Sequence, residues 1–256
     1  MSRISGIATL ILTAIFAISP VVQAAPRKAH TVVLGAVKKV PYSKAGDPAG
    51  AAPGPDADIG TLKIRALLVD GALKEWTTGD AHDVTGRSFV VRRAIRLNDT
   101  LPGDKQEHWV WQRGPWLLVD RVAGHVTALK LPDYDPGVSQ VSWFRDYAAY
   151  CGLAANGKSL YAVVAQVAAR KPVLARKIAA FDAAGQSAPS APSAASAPPA
   201  PAAPACAPPD WQREPLRITF HPAGKDAMSY DFVPGSAVLV EGASDEDETQ
   251  ESAAPK

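Results

Sequence analysis

Only two cysteines and two methionines occur in the 256 residues. Two cysteines exclude a disulfide-dense scaffold and a four-cysteine zinc site, and two methionines exclude a Met-lined adaptable groove. No G-x-S-x-G elbow, H-E-x-x-H helix or Gly-rich dinucleotide fingerprint is present. The five histidines (His30, His82, His108, His125 and His221) stand singly, without metal-ligand spacing. Neither a metal nor a cofactor is therefore expected. Charge of one sign is also lacking: 27 Lys and Arg face 25 Asp and Glu, for a formal net charge of +2. That near-balance does not point to a nucleic-acid partner.

What is present begins with an export signal. Arg3 supplies a positive start, Ile7 to Ile18 is apolar or small throughout, and Val22-Gln23-Ala24 reads as a cleavage site, so residues 1–24 are expected to be a signal peptide. Beyond it no run approaches the roughly 20 apolar residues of a spanning helix, so no transmembrane segment is expected in the mature chain. Export places Cys151 and Cys206 in an oxidising compartment, periplasmic or extracellular, where a pair of cysteines forms a disulfide. Closing so long a loop stabilises by roughly 4 kcal/mol in the chain-entropy treatment.

Composition divides the rest. Residues 25–185 read as a β-repeat domain, interrupted at 43–58 by SKAGDPAGAAPGPDAD, a Gly, Pro and Ala-rich surface loop. Residues 186–209 are almost wholly Ala, Pro and Ser, an extended linker. Residues 210–243 carry further strands that pack back on the domain, and 244–256 form an acidic tail without apolar runs, expected to be disordered.

Runs rich in Val, Leu, Ile and aromatics recur between Gly, Asp, Asn and Pro punctuation. Examples are Leu62 to Val69, Ser88 to Leu97, Trp116 to Asp120, Leu160 to Val167 and Leu216 to His221. This is an all-β pattern, with one helix possible at Lys177 to Ala184. Leu67-Leu68-Val69-Asp70-Gly71 recurs as Leu117-Leu118-Val119-Asp120-Arg121, and looser copies begin at Ala162 and Val238. A period near 45 to 50 residues is that of β-propeller blades. Val141-Ser142-Trp143-Phe144-Arg145-Asp146-Tyr147, followed by Asn156-Gly157-Lys158-Ser159-Leu160-Tyr161, resembles a blade of the WD-repeat or periplasmic Tol-associated propellers. The resemblance runs best over 138–174. It implies a small or incomplete propeller-like repeat architecture; a β-sandwich or barrel of hairpins is the alternative.

Gly152 to Ser159 fits the phosphate-loop spacing G-x-x-x-x-G-K-[ST] letter for letter. That motif needs a helix after it, whereas Leu160 onward reads as a strand, so a hairpin turn at Asn156-Gly157 is expected. Asp133-Tyr134-Asp135-Pro136-Gly137 is read as a turn before a calcium site, because calcium needs six to eight oxygens. His82-Asp83, in a turn with Ser88 nearby, is the strongest acid/base candidate, although no partnered nucleophile is evident. The binding candidates are basic and aromatic: Arg92, Arg93, Trp109, Trp111, Arg113, Trp143 and Arg145, whose indoles and guanidinium groups suit a glycan or a polyanion. The sequence thus points to an exported, non-enzymatic binding or scaffold protein. Its expected partner is an envelope protein, an anionic envelope polymer or a glycan. A small secreted hydrolase or glycan-processing enzyme is the alternative.

Overall fold

The computed structural model describes residues 29–181, 205–233 and 236–240. The expected signal peptide, residues 186–204 of the linker and the acidic tail lie outside the described residues. Within them the chain is all-β, in three antiparallel sheets, none closed into a barrel.

The first sheet, A, contains β1 (Val32–Leu34), β2 (Lys38–Pro41), β3 (Ala57–Asp58), β4 (Thr61–Val69), β5 (Ala72–Asp83), β6 (Ser88–Asn98), β7 (Trp109–Asp120) and β8 (Val126–Ala128). Its central path is β1-β4-β5-β6-β7-β8, and β2 and β3 also pair with β4. Asp70 and Gly71, at φ 51° and 79°, form the two-residue turn between β4 and β5, the left-handed geometry that Asp-Gly adopts in hairpins. The sheet curls far enough for Tyr42 to form an isolated parallel bridge with Trp111.

Sheet B orders β9 (Ser142–Phe144), β10 (Tyr147–Leu153), β11 (Ser159–Gln166) and β12 (Leu174–Ala180) as a meander. Sheet C does the same with β13 (Cys206–Arg213), β14 (Leu216–Pro222), β15 (Met228–Val233) and β16 (Ser236–Val240). Alternation turns Ala149, Cys151, Leu160, Ala162 and Val164 of sheet B toward Ile218, Phe220, Tyr230 and Phe232 of sheet C, forming one buried core. The Cys151–Cys206 disulfide crosses that core. Sheet A keeps two smaller clusters, one around Leu67, Phe89, Val91, Leu117 and Val119, the other around Leu62, Ile64 and Ala94.

Several expectations change. The helix expected from Lys177 is strand β12, because pairing with β11 overrides the helix propensity of Arg-Lys-Ile-Ala-Ala. β13 starts at Cys206, inside the stretch read as linker, and its register shifts between Ala207 and Asp210. That irregularity accommodates Pro208 and Pro209, which have no N–H for a regular ladder. His82-Asp83 lies at the end of β5 rather than in a turn. The two strongest repeat copies close β4 and β7 of one sheet, while the looser ones fall on β11 and at β16. As expected, Asn156-Gly157 turns between β10 and β11, with Gly157 at φ 69° and no helix following.

A candidate binding cleft at the junction of the sheets

Register builds one wall of the site. Ile64, Thr78, Arg92 and Trp116 face one another in sequence across β4, β5, β6 and β7, so their side chains share one face of sheet A. Arg113 joins that face through a bulge: Ala94 pairs with Arg113 and Arg92 with Trp116, leaving Gly114 and Pro115 opposite Arg93. A Cβ on Gly114 would lie 2.7 Å from Ile95 Cδ1 and 3.2 Å from the Arg93 carbonyl oxygen, so a side chain there would force Ile95 to move. The Gly114 carbonyl accepts a 3.1 Å hydrogen bond from Arg92 Nε.

The 43–58 loop forms the opposite wall. Arg113 donates to both Asp56 carboxylate oxygens at 3.0 and 2.7 Å, and to Asp47 at 2.6 Å. Exposures of 10%, 9% and 11% for Arg113, Asp47 and Asp56 show that this triad is largely withdrawn from water. Thr78 Oγ1 donates to Asp56 at 2.9 Å, and the Tyr42 hydroxyl donates to Asp47. Burial opposes ionisation of Asp56, but the Arg113 and Thr78 hydrogen bonds prevail and hold its carboxyl below the usual range. For Asp47 burial prevails over Arg113 and Arg92, and its carboxyl is pushed up. Gly54 lets the loop close: a Cβ there would lie 2.8 Å from Asp56 Oδ1.

Between the walls is a cleft of about 320 Å³. Pro48, Ala51 and Pro55 line it from the loop, Thr78, Arg92, Arg113 and Trp116 from sheet A, and Gln140, Val141 and Pro208 from the other side. Behind Trp116 stands Trp143 of β9, with ring centroids 5.1 Å apart in an edge-on contact. His82 stacks on Trp143 at 5.6 Å, and its Nε2 lies 2.7 Å from the Arg145 carbonyl oxygen.

Of the binding candidates, Arg92, Arg113 and Trp143 belong to this region. Arg93 lies on the opposite face of β6 and pairs with Glu75 at 2.9 Å. Trp109 is 37% exposed, with the Arg96 guanidinium 4.3 Å above its ring, and Trp111 packs edge-on against Trp76. Arg145 is exposed beside Phe144. The acid/base candidates separate: Asp83 pairs with Arg121, and Ser88 Oγ bonds Thr85 Oγ1. No group of three or more His, Cys, Asp or Glu residues suited to a metal ion occurs among the described residues.

Asp47, Asp56 and Thr78 were not candidates. The available signal was three aspartates, Asp47, Asp56 and Asp58, in a loop that apart from Lys44 is otherwise Gly, Ala, Pro and Ser. Comparison with known protein families, characterised proteins and solved structures finds no match for this chain.

Proposed function

We propose that the chain is an exported, non-enzymatic binding module that takes an envelope glycan in the cleft between the 43–58 loop and sheet A. One observation carries this reading: a single cleft combines the Trp116 indole, apolar Pro and Ala side chains, and the polar side chains of Arg92 and Gln140. Sugars present apolar ring faces rimmed by hydroxyls, and such a wall complements both. A polyanion is less well served, because Arg87, Arg93, Arg113, Arg121 and Arg217 are each paired with a carboxylate. The disulfide fits a non-cytoplasmic protein. We place it in the periplasm or outside the cell. The successive four-stranded meanders of sheets B and C support reading them as propeller-like blades.

The test is calorimetric titration with β-1,4-linked trisaccharides. Binding should be saturable, lost in Trp116→Ala and retained in Trp109→Ala. Binding that survives Trp116→Ala, or an absence of binding to any trisaccharide, removes this assignment.

A further inference from the structure

β12 forms one edge of sheet B, with only β11 beside it in the sheet. Its register shifts at Ile178, which is turned into the core, and Ala175, Arg176 and Lys177 are left exposed in succession. From Ala168 to Phe181 the chain holds Arg170, Lys171, Arg176 and Lys177 and no acid. Lys158 joins them where its carbonyl accepts the Phe181 N–H, and Lys225, in the turn between β14 and β15, donates to the Ile178 carbonyl at 2.9 Å. Across the ladder Arg176 and Lys177 face Ala162 and Tyr161, which bring no counter-charge. None of these six cations meets a carboxylate among the described residues, whereas Arg87, Arg93, Arg113 and Arg121 of sheet A each do.

The chain itself supplies the missing charge. Val240, the last residue of β16, pairs with Ser229, at the end of β15 nearest the Lys225 turn. Tyr230 beside it shares the core with Leu174 and Ile178 of β12 and feels the charge of Arg176. β16 therefore ends beside the basic edge. The sequence that follows carries Glu241, Asp245, Glu246, Asp247, Glu248 and Glu251, with no base among them. Five extended residues beyond Val240 span about 17 Å, whereas packed sheets lie about 10 Å apart, so the run from Asp245 has the reach to meet β12. Single exposed ion pairs contribute little. A tethered run of acids, however, faces the cluster at an effective concentration of order millimolar, which a free anion does not have.

We propose that residues 241–251 lie along the outer edge of β12, so that the chain covers its own anion-binding surface. An external polyanion binds there only by displacing this segment. The contact is separate from the cleft and does not depend on what the cleft holds.

The full chain, mixed in equal parts as ¹⁴N and ¹⁵N protein, is treated with a carbodiimide, which joins a carboxylate to an amine only where the two touch. Mass spectrometry of its peptides should find links from Lys171, Lys177 or Lys225 to acids of 241–251 within molecules of one isotope. These links should vanish in about 0.5 M salt, where screening acts over roughly 4 Å. Links of mixed isotope overturn the self-contact in favour of a second copy, and an absence of links to these lysines overturns it outright. A second measurement, binding of fluorescent dextran sulfate at low salt, reads the covering itself. Neutralising the run with Asp245→Asn, Glu246→Gln, Asp247→Asn and Glu248→Gln should tighten that binding by about fivefold or more. In a background of Arg176→Gln and Lys177→Gln, both exposed positions that the fold does not depend on, the same neutralisation should change little. Equal tightening in both backgrounds is a plain net-charge effect and overturns the proposal.

Discussion

Sheets B and C close on each other through a single apolar core, whereas sheet A closes on its own 43–58 loop through charge. The first region buries Ile218, Phe220, Ala149 and Val164 completely and is bridged by a disulfide. The second splits its apolar residues between two smaller clusters and sets a withdrawn Arg113-Asp47-Asp56 triad where a core would be. Apolar cores tolerate changes of pH and salt. Buried charge networks fix geometry but depend on every member being present. The molecule therefore keeps a robust half and a conditional half, and the cleft borders the conditional one.

The sharpest way to break this comparison is to cut each region at its centre. Phe220→Ala should cost about 3–5 kcal/mol in denaturant unfolding, because a fully buried ring leaves a cavity. Arg113→Met should cost about 3–5 kcal/mol for a different reason, since two carboxylates remain in a site that water barely reaches. Adding Asp47→Asn and Asp56→Asn to Arg113→Met should recover much of that loss, while no charge change should rescue Phe220→Ala. If the triple variant is no more stable than Arg113→Met alone, the account of the loop as charge-closed is wrong.

Smaller effects sharpen the contrast. Replacing both Cys151 and Cys206 by serine should lower stability by about 2–4 kcal/mol, largely through the unfolded chain, with binding in the cleft retained. Acid should act on the other half. The Asp56 carboxyl titrates below its usual 3.8 in the folded protein, so its contribution is present above that value and is lost as pH falls through the folded pKa. Asp47 has the opposite sign: raised by burial, it favours folding when protonated, and that contribution disappears as pH rises through its folded pKa. Urea midpoints between pH 5 and pH 2.5 should fall less steeply in Asp56→Asn than in the parent.

Much of the fold was readable from composition. β4, β6, β11 and β14 are dense in β-branched and aliphatic residues, and the asparagine-glycine turn before β11 is a strong local signal. β5 was hidden because Ala72–Asp83 is largely polar; its buried positions include Thr77 and Thr78, whose hydroxyls bond backbone carbonyls of β4. The site was half legible. Arg92 and Arg93 read alike as neighbours, yet the pleat sends one to the cleft and the other to Glu75. Only tertiary structure could show that Asp47 and Asp56, from a loop of glycine, proline and alanine, reach a guanidinium on β7.

The bulge at Gly114-Pro115 has a consequence for how such a cleft could diversify. β7 spends three residues where β6 spends two, yet the pairs on either side stay on one face. A one-residue deletion at this point would restore a regular ladder and keep Arg113 and Trp116 opposite their present partners. What would be lost is the outward-turned carbonyl that holds Arg92. A length change of a single residue could thus free or anchor a guanidinium without disturbing the sheet, giving descendants of this fold a route to altered ligand choice that leaves the rest of the framework unchanged.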